Sequence, residues 1–146
     1  MNISGFLRIL ISAALFYSCL QGGCAEAGAT SCDIQRSSCT QSATDGITIG
    51  FDLQPKPVTA MSELTAIVLL SSKGTPLTDA SVKLDLSMPG MFMGLNRPVL
   101  RHKSAGRYEG NTVITRCASG NKTWKANITI ERNRKTYAVD FIFEVR

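Results

Sequence analysis

The sequence predicts an all-β protein: a seven-stranded antiparallel immunoglobulin-like β-sandwich that follows a cleaved signal segment. Three observations carry this prediction. Residues 46–146 break into short runs in which apolar and polar residues alternate, the period of a half-buried strand. Clusters of Gly, Pro, Asn and Ser separate the runs at short spacing. No stretch after Gly46 carries the period of an amphipathic helix. Two packed sheets satisfy this pattern. A small closed barrel satisfies it too, because alternation alone does not say whether a sheet closes.

The first 27 residues read as an export signal. Ile3 to Leu20 carry a single charge, Arg8, and the apolar run Ile9 to Tyr17 has the length of a signal h-region rather than of a membrane span. Ala25-Glu-Ala27 fits a signal-peptidase site and leaves a mature chain from Gly28. Gln21-Gly-Gly-Cys24 offers a second reading, a lipoprotein signal in which Cys24 is lipidated and tethers the chain to the membrane. Either way the protein is expected to be exported, periplasmic or anchored in the cell envelope. Residues 28–45 are small and polar and read as a cysteine-containing linker.

The strands follow in order. Ile47, Ile49, Phe51 and Leu53 alternate with polar neighbours until Pro55-Lys-Pro57 removes the ladder donors. Glu63 to Ser71 is a more apolar run, ended by Ser72-Lys-Gly-Thr-Pro76. Val82, Leu84 and Leu86 form the third strand. Leu95 to His102 reads as the fourth, with Val99 and Leu100, and Ser104-Ala-Gly106 turns it into a strand over Tyr108 to Thr115. Cys117 to Lys122 is a loop. Trp124, Ala126, Ile128 and Ile130 make the sixth strand, and after Asn133-Arg-Lys, Tyr137 to Val145 make the seventh.

Composition narrows the chemistry. The chain has 146 residues, a formal net charge of +5 and one histidine, His102. Its charges are scattered between apolar positions, which suits a solvated sheet face and not a nucleic-acid footprint. No phosphate-cradling loop, nucleophile elbow or triad pattern occurs, so no enzyme is expected. Export favours one disulfide among Cys32, Cys39 and Cys117, either as a local Cys32–Cys39 bridge or with Cys117 paired to one of them. The cysteine spacing does not suit zinc.

The stretch Met88-Pro-Gly-Met-Phe-Met-Gly-Leu-Asn96 stands out, with three of the five methionines of the chain. Pro89-Gly90 suits the centre of a type II turn and brings Met88 and Met91 together. Met91 and Met93 share a side if the chain then extends. Met88, Met91 and Met93 could thus converge on Cu(I), which soft sulfur selects, with His102 as a remote fourth candidate. The alternative is that Met and Phe92 plug one end of the sandwich, since methionine fills irregular gaps.

Phe51-Asp-Leu-Gln-Pro-Lys-Pro-Val-Thr-Ala-Met-Ser-Glu-Leu64, the methionine stretch, Gly106-Arg-Tyr-Glu-Gly110 and Arg116-Cys-Ala-Ser-Gly120 with Trp124 together resemble the YtkA-like domain family of exported bacterial proteins. The resemblance spans Ile47 to Val145. It implies a small immunoglobulin-type sandwich and an association with copper handling or oxidase assembly, with an envelope or oxidase-assembly protein as partner. It brings no established ligand set, and the histidine-rich signature of periplasmic copper chaperones is absent. A metal-free envelope interaction or accessory module is the alternative.

Overall fold

Alternation decides the long strands. In β9 (Thr123–Arg132) Trp124, Ala126, Ile128 and Ile130 are buried, and in β10 (Lys135–Glu144) Val139, Phe141 and Phe143 are. Their apolar faces meet those of β3 (Ile47–Gln54) and β4 (Glu63–Ser72), which bury Ile49, Phe51, Leu53, Ala66 and Val68. Phe51 sits at the centre, its ring 5.9 Å from that of Phe141 and 5.6 Å from that of Phe143. Burial of such side chains contributes roughly 1.5–3 kcal/mol each and is the main term holding the two layers together.

The computed structural model describes residues 28–146, so Cys24 and the signal segment 1–27 lie outside the described residues. The other strands are β1 (Thr30–Ser31), β2 (Cys39–Ser42), β5 (Thr75–Pro76), β6 (Ser81–Ser87), β7 (Arg101–Ser104) and β8 (Arg107–Val113). One sheet runs β1-β10-β9-β6, and the other runs β2-β3-β4-β8-β7 with β5 added to β4. All pairings are antiparallel except β1 with β10. The protein is thus an all-β sandwich of two packed sheets.

Ten strands replace the expected seven. The additional ones, β1, β2 and β5, are two to four residues of mostly polar sequence. Such strands are held by backbone hydrogen bonds and leave no hydrophobic alternation to read. The expected strand over Leu95–His102 is also corrected, because only Arg101–Ser104 pair with β8. Residues 95–100 instead cross from one sheet to the other. The Asn96 carbonyl accepts from Leu86 N at 2.8 Å, its side-chain nitrogen donates to Val113 O at 2.9 Å, and Thr112 Oγ1 donates to its side-chain oxygen at 2.8 Å. Gly110 makes room for the crossing, since a Cβ there would stand 2.5 Å from Val99 O.

The stretch read as a linker is part of the sandwich. Cys32 and Cys39 form a disulfide with Cα atoms 5.8 Å apart, and the loop they close drives Ile34 into the core at 0% exposure. Gln35 donates to Val58 O and Glu144 O, both at 3.0 Å, and accepts from Val58 N at 2.8 Å. Lys56 donates to Ile34 O and, at 2.8 Å, to the Asp52 carboxylate. One apolar residue among polar ones carries no period, so this strap is invisible to patterning.

At the opposite end, the β7–β8 turn is tied down by Tyr108. Its buried hydroxyl donates to Leu77 O at 3.1 Å and accepts from Ala80 N at 3.2 Å. Gly106 is needed beside it, since φ is +74° and a Cβ would lie 2.3 Å from Leu70 O.

Ile34→Ala tests the strap. A core residue loses about 2–5 kcal/mol on such a truncation, whereas a linker residue loses almost nothing. We expect a loss in the core range, measured by urea denaturation with the disulfide intact.

Candidate functional site

Strand direction gathers the chemically interesting loops at one end. β3, β6, β8 and β10 finish there, and β4 and β9 begin there. Loops 55–62 and 114–122, the first part of loop 88–100 and the strap 32–38 therefore lie together. Backbone bonds knit them: Ala60 N donates to Arg146 O at 2.8 Å, Met61 N to Ile114 O at 2.8 Å, and Val145 N to Lys122 O at 3.0 Å.

The methionine stretch opens with the turn read from its sequence. Met91 N donates to Met88 O at 3.1 Å and Gly90 has φ +75°, which suits type II. The three thioethers, however, occupy three environments. Met88 is a core residue at 3% exposure, Met93 is half-buried against the core, and Met91 is exposed at 42%. The packing reading therefore describes Met88. Phe92, between the other two, is 83% exposed and Leu95 73%, so the tip is apolar and open to solvent.

Met91 meets a residue that sequence reasoning kept only as a disulfide candidate. The Cys117 thiol lies 3.3 Å from Met91 Sδ and 3.0 Å from Ser119 Oγ. With Cys32 and Cys39 bridged, Cys117 is the free cysteine among the described residues, and it is buried. The register explains the encounter. Ser87 pairs with Lys125 across β6 and β9, so the turn after β6 and the loop before β9 emerge side by side. Nothing in the residues from 88 to 117 signals this until that pairing is known. Ser119 holds the Cys117 thiol below its ordinary pKa: its hydroxyl acts first and its backbone N–H second, with Asn121 N–H adding to them, and together they outweigh burial.

His102 stands apart from this pair. It is exposed on β7, opposite Tyr108, whose ring lies 5.2 Å away. Tyr108 is five positions along β8 from Val113, or roughly 17 Å from the loop end. Arg101–Ser104 is instead an exposed edge strand that carries the charges of Arg101 and Lys103, a device that discourages unwanted strand addition. Among the described residues no group of three or more His, Cys, Asp or Glu side chains is arranged to hold a metal ion. The soft pair Met91–Cys117 is thus the distinctive donor set of this end.

A pH profile of Cys117 alkylation by iodoacetamide checks the thiol's environment. The midpoint is expected below that of an ordinary cysteine, and Ser119→Ala should move it upward. No shift on that substitution would remove the Ser119 hydroxyl as the cause. No protein-family model, curated protein sequence or solved structure matches this chain.

Proposed function

We propose that this chain is an exported, non-enzymatic binding domain of immunoglobulin type that carries Cu(I) at its loop end. The ligands in this reading are Cys117 Sγ and Met91 Sδ, with Met93 next along the same segment. Met88, first grouped with them, serves packing. The observation that carries the proposal is the 3.3 Å approach of thiol and thioether near an accessible turn. Thiolate and thioether are soft donors that favour Cu(I) over hard cations. Binding displaces the Cys117 proton, and the Ser119 hydroxyl that stabilises the thiolate favours that loss. The signal-like N-terminus and the YtkA-like resemblance support a place in copper handling or oxidase assembly in the envelope.

Anaerobic titration of Cu(I) against a competing chelator tests this. Met91→Leu and Cys117→Ala should each weaken binding at least tenfold, about 1.4 kcal/mol or more. Met88→Leu should leave affinity unchanged, since the swap conserves volume at a core site. Negligible affinity in the unaltered protein, or affinity unchanged by the first two substitutions, would sink the proposal.

A second reading is a metal-independent protein-interaction module, favoured by exposed Met61, Phe92 and Leu95 at the same end. Lipid attachment through Cys24 goes with either reading. The intact mass of the mature protein decides it: a diacylglyceryl adduct on a chain starting at Cys24, or an unmodified chain starting at Gly28.

A further inference from the structure

The wall behind Cys117 is a cleft that neither the thiol nor the methionine turn explains. Its inner part is a cavity of about 280 Å³ floored by Trp124, Val145 and Ala60. Trp124 is 2% exposed and Val145 3%, so the floor is apolar and firmly packed. Arg116, Lys122 and Arg146 stand around it, all exposed, and no Asp or Glu side chain lines it. Several other cations of the described residues are paired, as Lys56 is with Asp52, Arg97 with Asp85 and Arg132 with Asp79, while Lys73, Arg101, Lys103 and Arg134 are not. Arg116, Lys122 and Arg146 have no carboxylate side-chain partner among the described residues. Like charges held around one apolar depression repel, and an anionic guest relieves that repulsion.

The cavity continues into a second of about 640 Å³ that shares Lys122, Val145 and Arg146 and reaches the strap at Arg36. The outer part is mixed in charge, with Asp33 and Glu144 on its walls, so the demand for an anion is concentrated at the Trp124 end. A small-molecule site surrounds most of its ligand. This long, solvent-open cleft suits an extended chain that lies along it and drops one side chain into the pocket.

We infer that the Trp124 cleft binds an acidic segment of a partner protein. One apolar side chain of the segment seats on Trp124, and its flanking carboxylates meet Arg116, Lys122 and Arg146. This deepens the interaction reading above by naming the partner's chemistry, and it does not depend on copper.

Trp124 is the one tryptophan of the chain, so its fluorescence reports on this site alone. The test titrates the mature protein, with metal chelated, with the capped peptide Glu-Glu-Leu-Glu-Glu. A saturable change in Trp124 emission is expected, weakening as salt is raised. Binding should fall at least tenfold when the four Glu are replaced by Gln, when Leu is replaced by Gly, and in Lys122→Glu or Arg116→Glu protein. Both sites are exposed, so circular dichroism and melting temperature should not change. Met91→Leu should bind the peptide normally.

Equal binding of the Gln peptide would overturn the acidic assignment while leaving an apolar interaction site in place. Loss of all peptide binding would overturn the cleft as a site. Binding of phosphatidylglycerol vesicles without peptide binding would replace the protein partner by a membrane surface. In all three cases the copper titration is unaffected, so the two proposals fail separately.

Discussion

The antiparallel pairing of β6 with β9 is the constraint on which the loop end depends. β9 lies between β10 and β6, and it brings Trp124, Ala126, Ile128 and Ile130 to the core. A one-residue slip would turn every one of these to solvent, so burial enforces the register. With Ser87 opposite Lys125, the methionine turn has to emerge beside the Cys117 loop. The thiol–thioether contact is therefore a consequence of how the two strands that carry these loops pack in the core. Its geometry is set by two paired strands of the packed core, a scaffold that can position a binding site carried on loops.

How much of this could be read beforehand depends on whether a residue's role is written in its own neighbourhood. β6, β9 and β10 bury alternate side chains, and the alternation names them; β3 shows the same apolar alternation in sequence although Gly50 and Asp52 are buried too. Asn133 and Arg134 form a tight turn with both φ positive, at +51° and +60°, at the place their residue types suggest. Asn96 and Gln35 are different. Each does the work of a strand residue with side-chain amide groups, bridging segments 17 and 109 positions away. A lone polar residue gives no hint of that. Ile34 fails to register for a related reason, as the sole large apolar residue in a polar stretch.

The candidate site was half legible. Gly90 and Pro89 announced the turn, and the excess of sulfur pointed to the right loop. Grouping the methionines by spacing was misleading, because the turn sends Met88 into the core and Met91 out of it. The partner of Met91 comes from another loop 26 positions away, and only topology joins them. The cationic cleft beside it is likewise assembled from the loop before β9 and the end of β10. No run of basic residues marks it.

The Gln35 clamp has a further consequence for how the molecule is made. Its bonds to Val58 and Glu144 tie the beginning of the fold to β10, the last strand of the sandwich. A chain delivered N-terminus first cannot complete this clamp while β10 is still to come. The rest of the strap is tied to partners that come earlier in the chain, through the Cys32–Cys39 bridge, the two Val58 bonds and the Lys56 bond to Ile34 O. The bond to Glu144 O is thus the one link of the strap that requires the final strand, and a fragment lacking β10 would lack that tie together with the cleft wall that Glu144 and Val145 supply.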